Sequence, residues 1–452
     1  MKDLTENNIY KTFIVFAIPM VFSGLLSQMY NAIDTIIAGK LLGSDGLAAI
    51  GATSALVQFI SSAFWGYGTG FSIYIARLFG AREYSRIKAS IFSNLLAMLA
   101  ASAVITVSVL CFHEKIFDIL NVDFSIRKEA FKYFAVYMSG LFIITSNMTC
   151  GYIMNAFGIG SFPFYISIIS AILNIFGNIF TVAVLKIGVT GLAAATVFSA
   201  SVTLICYIIK LHMCFKEMNV SKEHIKLSFR YIKSAFSSSA AVMLQQMIMY
   251  FASASISPFV NGIGSTASAA YTVILKIYDF NANIYQNSSK VLSNYTAQCM
   301  GSEKYRSIPK AVRTALIQGI VFVFPALLTC VFFTDSVTSL FFPSGDTGEA
   351  FGYVAAFSKL CLPFMLFNIV NNLFHALFRG ANALNFLVTS TALGAAVRIA
   401  VSIICILKLG IYGLFIGWIA SWIIECIFAV LVYISKKWQP IKMQSAQKNP
   451  GI

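Results

Sequence analysis

Charge is what this chain has least of. Only 11% of its 452 residues are charged, against roughly 25% in a soluble domain, and Asp and Glu together number 17. So sparse a charge complement excludes an ordinary water-exposed surface. Histidine is scarcer still, with four. His113, His212 and His224 fall near the ends of apolar runs, only His375 falls inside one, and none shows metal-ligand spacing, so no metal site is expected. The nine cysteines stand singly at 111, 150, 206, 214, 299, 330, 361, 405 and 426. Without a CxxC pair, zinc-knuckle and dithiol redox chemistry drop out, and free Cys in an apolar run behaves as a small hydrophobe. HExxH and Gly-x-Ser-x-Gly are also missing, as is any paired catalytic constellation, so the sequence does not read as an enzyme.

What is present is hydrophobic length. Apolar residues make up 58% of the chain, and they gather into twelve runs. These lie near 13–37, 50–78, 89–112, 131–156, 162–185, 189–215, 232–260, 266–298, 311–333, 351–379, 382–407 and 410–434. About 20 apolar residues as helix cross the hydrocarbon of a bilayer, and helix is the spanning element that pairs its own backbone. The fold class expected is therefore an all-α integral membrane protein of twelve transmembrane helices.

The net charge of +15 does not imply nucleic acid. With both termini placed in the cytoplasm, 21 of the 32 Lys and Arg fall in cytoplasmic segments and seven in outside loops. That is the positive-inside bias of a multi-pass protein. The plasma membrane, and hence the lipid bilayer as a partner, is the expected location.

The sequence is also written twice. Gly43-Ser44, Ala48-Ala49, Gly80, Tyr84 and Ile87 recur 221 residues later as Gly264-Ser265, Ala269-Ala270, Gly301, Tyr305 and Ile308. Lys186, Gly188, Gly191 and Leu192 recur 222 residues later as Lys408, Gly410, Gly413 and Leu414. Two six-helix repeats around a central cavity follow: an N-terminal lobe 1–215, a basic cytoplasmic linker 216–231, a C-terminal lobe 232–435 and a cytoplasmic tail 436–452. Duplicated membrane folds carry substrate sites at the repeat interface, which points to a transporter.

Ionised groups in hydrocarbon are expensive, and they normally face a cavity or a partner. Only Asp34, Asp279 and Glu425 among the carboxylates fall inside spans. Asp279 follows Lys276 by three residues, the spacing of a helix-face ion pair. Arg398, in the eleventh span, could pair with Glu425. In the fifth span Asn174, Asn178 and Thr181 share one helix face, and Thr196 on the sixth could join them. By the repeat offsets, Asp34, Asn174 and Asn178 correspond to Ser255, Ala396 and Ala400. The polar cluster therefore belongs to the first half alone, which favours function over a shared structural need. Gln28, Tyr30, Trp65, Gln245, Tyr250, Asp279, Asn283, Asn372, Arg398 and Glu425 are candidates to line a substrate cavity. Pro19, within span one, removes a backbone hydrogen bond and is the expected hinge.

Ile18-Pro19, Asn31 through Asp34 to Gly39, Gly43 with Leu47-Ala48-Ala49-Ile50-Gly51, Gly80-Ala81, Leu173-Asn174 through Asn178, and Gly188 to Thr196 together resemble the multidrug and toxic compound extrusion (MATE) family of secondary transporters, over about residues 10–435. The resemblance implies antiport of H+ or Na+ against organic, cationic or amphipathic compounds, with no cofactor beyond that ion and a monomeric state. It also implies an ion-coupling site at Asp34, Asn174, Asn178 and Thr196. Here the sequence departs from the family, whose residue at Asn178 is Asp. The acidic residue that another branch carries in span seven is absent. An alternative reading is a lipid-linked precursor flippase or a narrow-substrate metabolite exporter of the same superfamily.

Overall fold

The computed structural model of the chain describes residues 3–6, 8–119, 122–220, 227–342, 348–440 and 443. The middle of the expected linker (221–226), part of the acidic loop (343–347) and most of the tail lie outside them. The described chain is helical throughout, with no strand among the described residues.

Helix α1 runs Ile9–Gly80, so the two spans expected near 13–37 and 50–78 lie in one helical run. No proline falls between 20 and 80 to end it, and it turns instead through a 42° bend between Ala48–Ser54 and Leu56–Gly80. α2 (Tyr84–Cys111) and the short α3 (His113–Ile119) follow. α4 (Arg127–Ser139) and α5 (Leu141–Ala156) meet at 49° and together occupy the fourth apolar run. α6 (Ser161–Ile179) ends in a π-helical turn, Phe180–Val184, before α7 (Val189–Glu217). The second half comprises α8 (Phe229–Asn261), α9 (Ser265–Gly301), α10 (Ile308–Phe332), α11 (Thr334–Ser339), α12 (Glu349–Ala356), α13 (Met365–Gly380), α14 (Leu384–Leu409) and α15 (Ile411–Ile434).

Nine of the described helices are long and apolar enough to cross a membrane, or up to eleven if each bent pair is one span. The eighth expected span, α9, is helical but too polar to pass that test. It buries Asn281, Asn294 and Gln298. Polarity is turned inward and apolarity outward: Val104, Val107, Ile205, Leu407 and Leu431 are all more than half exposed. A water-soluble protein rarely shows so extensive an apolar exterior.

The duplication is visible in the backbone. After α1, Arg82 adopts a positive φ of 57° and Glu83 N–H reaches Leu78 C=O. After α9, Glu303 adopts a φ of 58° and Lys304 N–H reaches Cys299 C=O. Both are the same left-handed helix ending, 221 residues apart. Gly188 and Gly410 repeat likewise before α7 and α15, with φ of 71° and 58°, a region a side chain resists. The α14–α15 crossing then brings backbones together at Gly413, where an added Cβ would sit 2.2 Å from the carbonyl carbon of Cys405.

The chain forms two compact units. One contains residues 1–3 and 22–243; the other contains 4–21 and 244–452. The start of α1 is thus packed with the second unit and the rest with the first. Pro19 lies inside α1, just before Phe22, where that change occurs.

Candidate functional site

In the first unit, α6 presents Asn174 and Asn178 one turn apart, as their spacing requires, and both are buried. α1 brings Asp34 to them. Asn178 Nδ2 donates to Asp34 Oδ1 at 2.6 Å, across 144 residues of sequence. Thr196, on α7, closes the group beside Asn174. The structure therefore unites all four residues of the expected coupling site.

Two orientations of the Asn174 amide are chemically distinct, since its nitrogen and oxygen are told apart only by their partners. With nitrogen toward Asp34, Asn174 donates to Oδ1 at 2.6 Å and its own oxygen accepts from Thr196 Oγ1 at 3.2 Å. This suits an ionised carboxylate, which then has two amide donors. With the oxygen turned inward, two oxygens meet at that same separation, which requires a proton between them. Asn178 then also donates to Asn174 Oδ1 at 3.0 Å, and Asn174 Nδ2 donates to Thr196 Oγ1. Thr196 can serve either arrangement because a hydroxyl both donates and accepts; when it accepts from Asn174 it donates to Leu192 C=O at 3.1 Å.

Tyr30 and Tyr133 lie within electrostatic reach of Asp34, and Tyr133 stacks on Tyr137 at 6.1 Å. Tyr133 and Tyr137 were not singled out in the sequence, although their one-turn spacing on α4 was a usable signal. Gln28 and Trp65 are half-buried in the first unit.

The remaining candidates belong to the second unit and do not all converge. Gln245 and Glu425 are buried on either side of His375, 3.1 Å and 3.4 Å from its two ring nitrogens. Arg398 is buried too, but it lies over the Trp418 ring at 4.1 Å, and no ion pair joins it to Glu425 among the described residues. That corrects the expected pairing: the guanidinium takes an aromatic face, a favourable partner for a desolvated cation. Asp279 is exposed and lies within electrostatic reach of Lys276, but no ion pair within 4 Å joins the two among the described residues. Asn283 accepts from Asn287 at 2.6 Å, and Asn287 Oδ1 accepts from Lys290 at 2.9 Å. Asn372 bonds weakly to the Asn368 carbonyl at 3.4 Å, and Tyr250 is half-buried. No group of three or more His, Cys, Asp or Glu able to hold a metal occurs among the described residues.

The MatE family model matches residues 19–180 and 241–404, one match in each sequence repeat and together well over half the chain. The chain belongs to the MatE family. This MATE protein is a multi-pass membrane transporter and not an enzyme. It is 21% identical over 359 residues to "Probable multidrug resistance protein YoeA" of Bacillus subtilis, covering 76% of each chain. It is 23% identical over 341 residues to "Multidrug export protein MepA" of Staphylococcus haemolyticus, covering 74% of each. Among solved structures it resembles a MATE in complex with MaL6, with a TM-score of 0.90 at 20% identity over 98% of both chains. An outward-facing multidrug resistance MATE transporter matches with a TM-score of 0.89, also at 20% identity and 98% coverage of both chains. The fold is therefore the twelve-helix, two-repeat architecture expected from the sequence.

Proposed function

We propose that this MATE protein exports organic, cationic or amphipathic small molecules across the plasma membrane in exchange for H+ or Na+, with Asp34 as the coupling group. The observation that carries the reading is the Asp34–Asn178 hydrogen bond of 2.6 Å within a cluster whose Asn174 amide has a different best orientation for each protonation state of Asp34. Relatives named for multidrug resistance and multidrug export support export as the direction of transport.

In this reading an ionised Asp34 draws both amides toward it. A proton on Asp34 turns the Asn174 oxygen inward, and the Thr196 hydroxyl rotates from Asn174 to the Leu192 carbonyl. Polar contacts linking α1, α6 and α7 are thereby exchanged without opening the helices. A coupling ion shifts a conformational equilibrium only by binding one state better than the other, and this exchange of partners supplies such a difference. Flexing of α1 at Pro19 would transmit it. The family's second carboxylate is replaced by an amide donor, so Asp34 works as a single acid; Asn178 Oδ1, buried without a hydrogen-bond partner, is an oxygen that Na+ could use.

The flippase alternative calls for several free cations to receive a pyrophosphate. Arg379 and Arg398, both buried, are already engaged with Gln245 and Trp418, which favours the exporter. The test is ethidium efflux from proteoliposomes under separately imposed pH and Na+ gradients, wild type beside Asp34→Asn.

A further inference from the structure

The second unit contains a buried relay that the Asp34 reading does not use. On α13, His375 has three polar neighbours. Its Nδ1 lies 3.1 Å from Gln245 Nε2. Its Nε2 lies 3.1 Å from Ser390 Oγ and 3.4 Å from Glu425 Oε1. Arg379, one turn further along α13, donates from Nη1 to Gln245 Oε1 at 3.1 Å. Asn371 donates from Nδ2 to Glu425 Oε2 at 3.3 Å and to the Trp422 carbonyl at 3.0 Å. Arg379, Gln245, His375, Asn371 and Glu425 are each no more than 9% exposed.

The hydrogen-bond directions follow from one fixed point. A guanidinium only donates, so Arg379 holds the Gln245 oxygen toward itself and the Gln245 nitrogen toward His375. Nδ1 must then accept. A neutral imidazole with Nδ1 as acceptor has its hydrogen on Nε2, directed at Ser390 Oγ, while Glu425 Oε1, 3.4 Å away, is buried without a hydrogen-bond partner. A second proton on Nδ1 would set N–H against N–H, and Gln245 cannot turn to relieve it without abandoning Arg379. The histidine is thus locked neutral, and the carboxylate is the group left to change.

We propose that Glu425 is a second protonation site of this transporter, in the second unit, with Arg379, Gln245 and His375 as positioning residues that confine the proton to Glu425. Its carboxylate is met by one neutral donor, Asn371, at Oε2, with Oε1 left unpaired, and by no cation other than a protonated His375 within ion-pair distance among the described residues. A bound proton would therefore not have to displace a salt bridge. Asn371 Oδ1, buried and without a hydrogen-bond partner, is an acceptor available to the protonated form. Space for the carboxyl depends on Gly394, where a Cβ would stand 3.0 Å from Glu425 Cδ.

The charged and titratable groups around the pair come from the packed helices. α14 contributes Arg398, within electrostatic reach of Glu425, and α15 contributes Cys426 beside it. α9 contributes Lys290, in reach of Arg379, and Asp279, Tyr271, Tyr278 and Tyr285, in reach of Arg398. Cys361, in the turn after α12, is in reach of Arg398 too. α10 contributes Cys330, bonded to Asn281. α8 has no charged residue from 234 to its end. The proposal goes beyond the exporter reading and does not depend on it, because its readout is proton occupancy and not transport.

The experiment is infrared difference spectroscopy of the purified full-length protein between acid and alkaline pH, following the carbonyl stretch of protonated carboxyl groups. Alongside it, nitrogen-15 histidine NMR is assigned with His375→Asn. Glu425→Gln is expected to remove one carboxyl band that Asp34→Asn leaves in place. His375 is expected to keep a neutral Nε2–H signature across about pH 5–8, where free imidazole titrates. Arg379→Met should release the Gln245 amide and let His375 become doubly protonated in that window. If that variant does not fold, Gln245→Glu offers Nδ1 only acceptors and should produce the same protonation. A carboxyl spectrum unchanged by Glu425→Gln would overturn the proposal, as would a wild-type His375 that titrates. A merely structural relay would leave the histidine signature neutral in both of the last two variants.

Discussion

Asn178 donates its amide hydrogen to the Asp34 carboxylate at 2.6 Å, from the position where the family has a second acid. Two close carboxylates share a proton because each charge disfavours the other. Here one partner is a neutral donor, so ionised Asp34 is supported by hydrogen bonds and the site titrates as one group. In the proposed antiport, the first unit would run its coupling chemistry on a single acid.

Removing the Asn178 donor should be severe. Asn178→Leu keeps the branched side-chain shape but takes a hydrogen bond from a charged acceptor, a loss of about 1.5–3 kcal/mol, or about 10–100-fold in equilibrium terms. Gradient-driven efflux should fall by that order while expression and detergent-phase melting stay near wild type. An unimpaired Leu variant would remove Asn178 from the site.

Asn178→Asp restores the acid found elsewhere in the family. Efflux should persist, with a changed dependence of rate on pH, since two carboxylates then hold one proton between them. Rate-against-pH profiles that superimpose on wild type would show that Asp34 does not sense this position.

The hydroxyl of Thr196 can be separated from its shape. Thr196→Val loses one neutral hydrogen bond, about 0.5–1.5 kcal/mol, and efflux should drop about two- to tenfold. Thr196→Ser, which keeps the hydroxyl, should stay near wild type. Equal rates for both would mean that Thr196 only packs.

Glycine to alanine should have opposite effects at two helical positions. At Gly413 the new methyl meets the Cys405 backbone at 2.2 Å, and overpacking of this kind costs about 1–3 kcal/mol, so Tm should fall. At Gly51 nothing lies within 4 Å of the added carbon, and alanine in a helix gains up to about 1 kcal/mol over glycine. There Tm should hold or rise.

Much of the architecture was legible in the sequence because apolar length and the repeat say different things. The run near 266–298 is the least apolar of those expected, because α9 buries Asn281, Asn294 and Gln298; its correspondence to the second run, by the 221-residue repeat, agrees with its place. The break expected between the first two runs was not found: with no proline there, α1 continues as helix and bends. The first-unit cluster could be read from Asn174 and Asn178 on one face, with Thr196 as a candidate neighbour on the next span, but only the family resemblance joined Asp34 to them. Arg379, at the end of the run near 351–379, counts as cytoplasmic by the charge rule. That rule counts residues near span ends and is blind to a side chain turning inward to a glutamine one helix away. His375 was visible as a histidine inside a span, yet its tautomer emerges only when Gln245 and Arg379 are seen together.

The central claim is that Asp34 couples ion entry to export. Its most direct test is ethidium efflux from proteoliposomes with pH and Na+ gradients imposed one at a time, comparing wild type with Asp34→Asn. The account predicts efflux driven by one of the two gradients in the wild type and lost in the variant, with the effective gradient naming the ion. Efflux by Asp34→Asn at the wild-type rate, with the same dependence on the gradient, would contradict it.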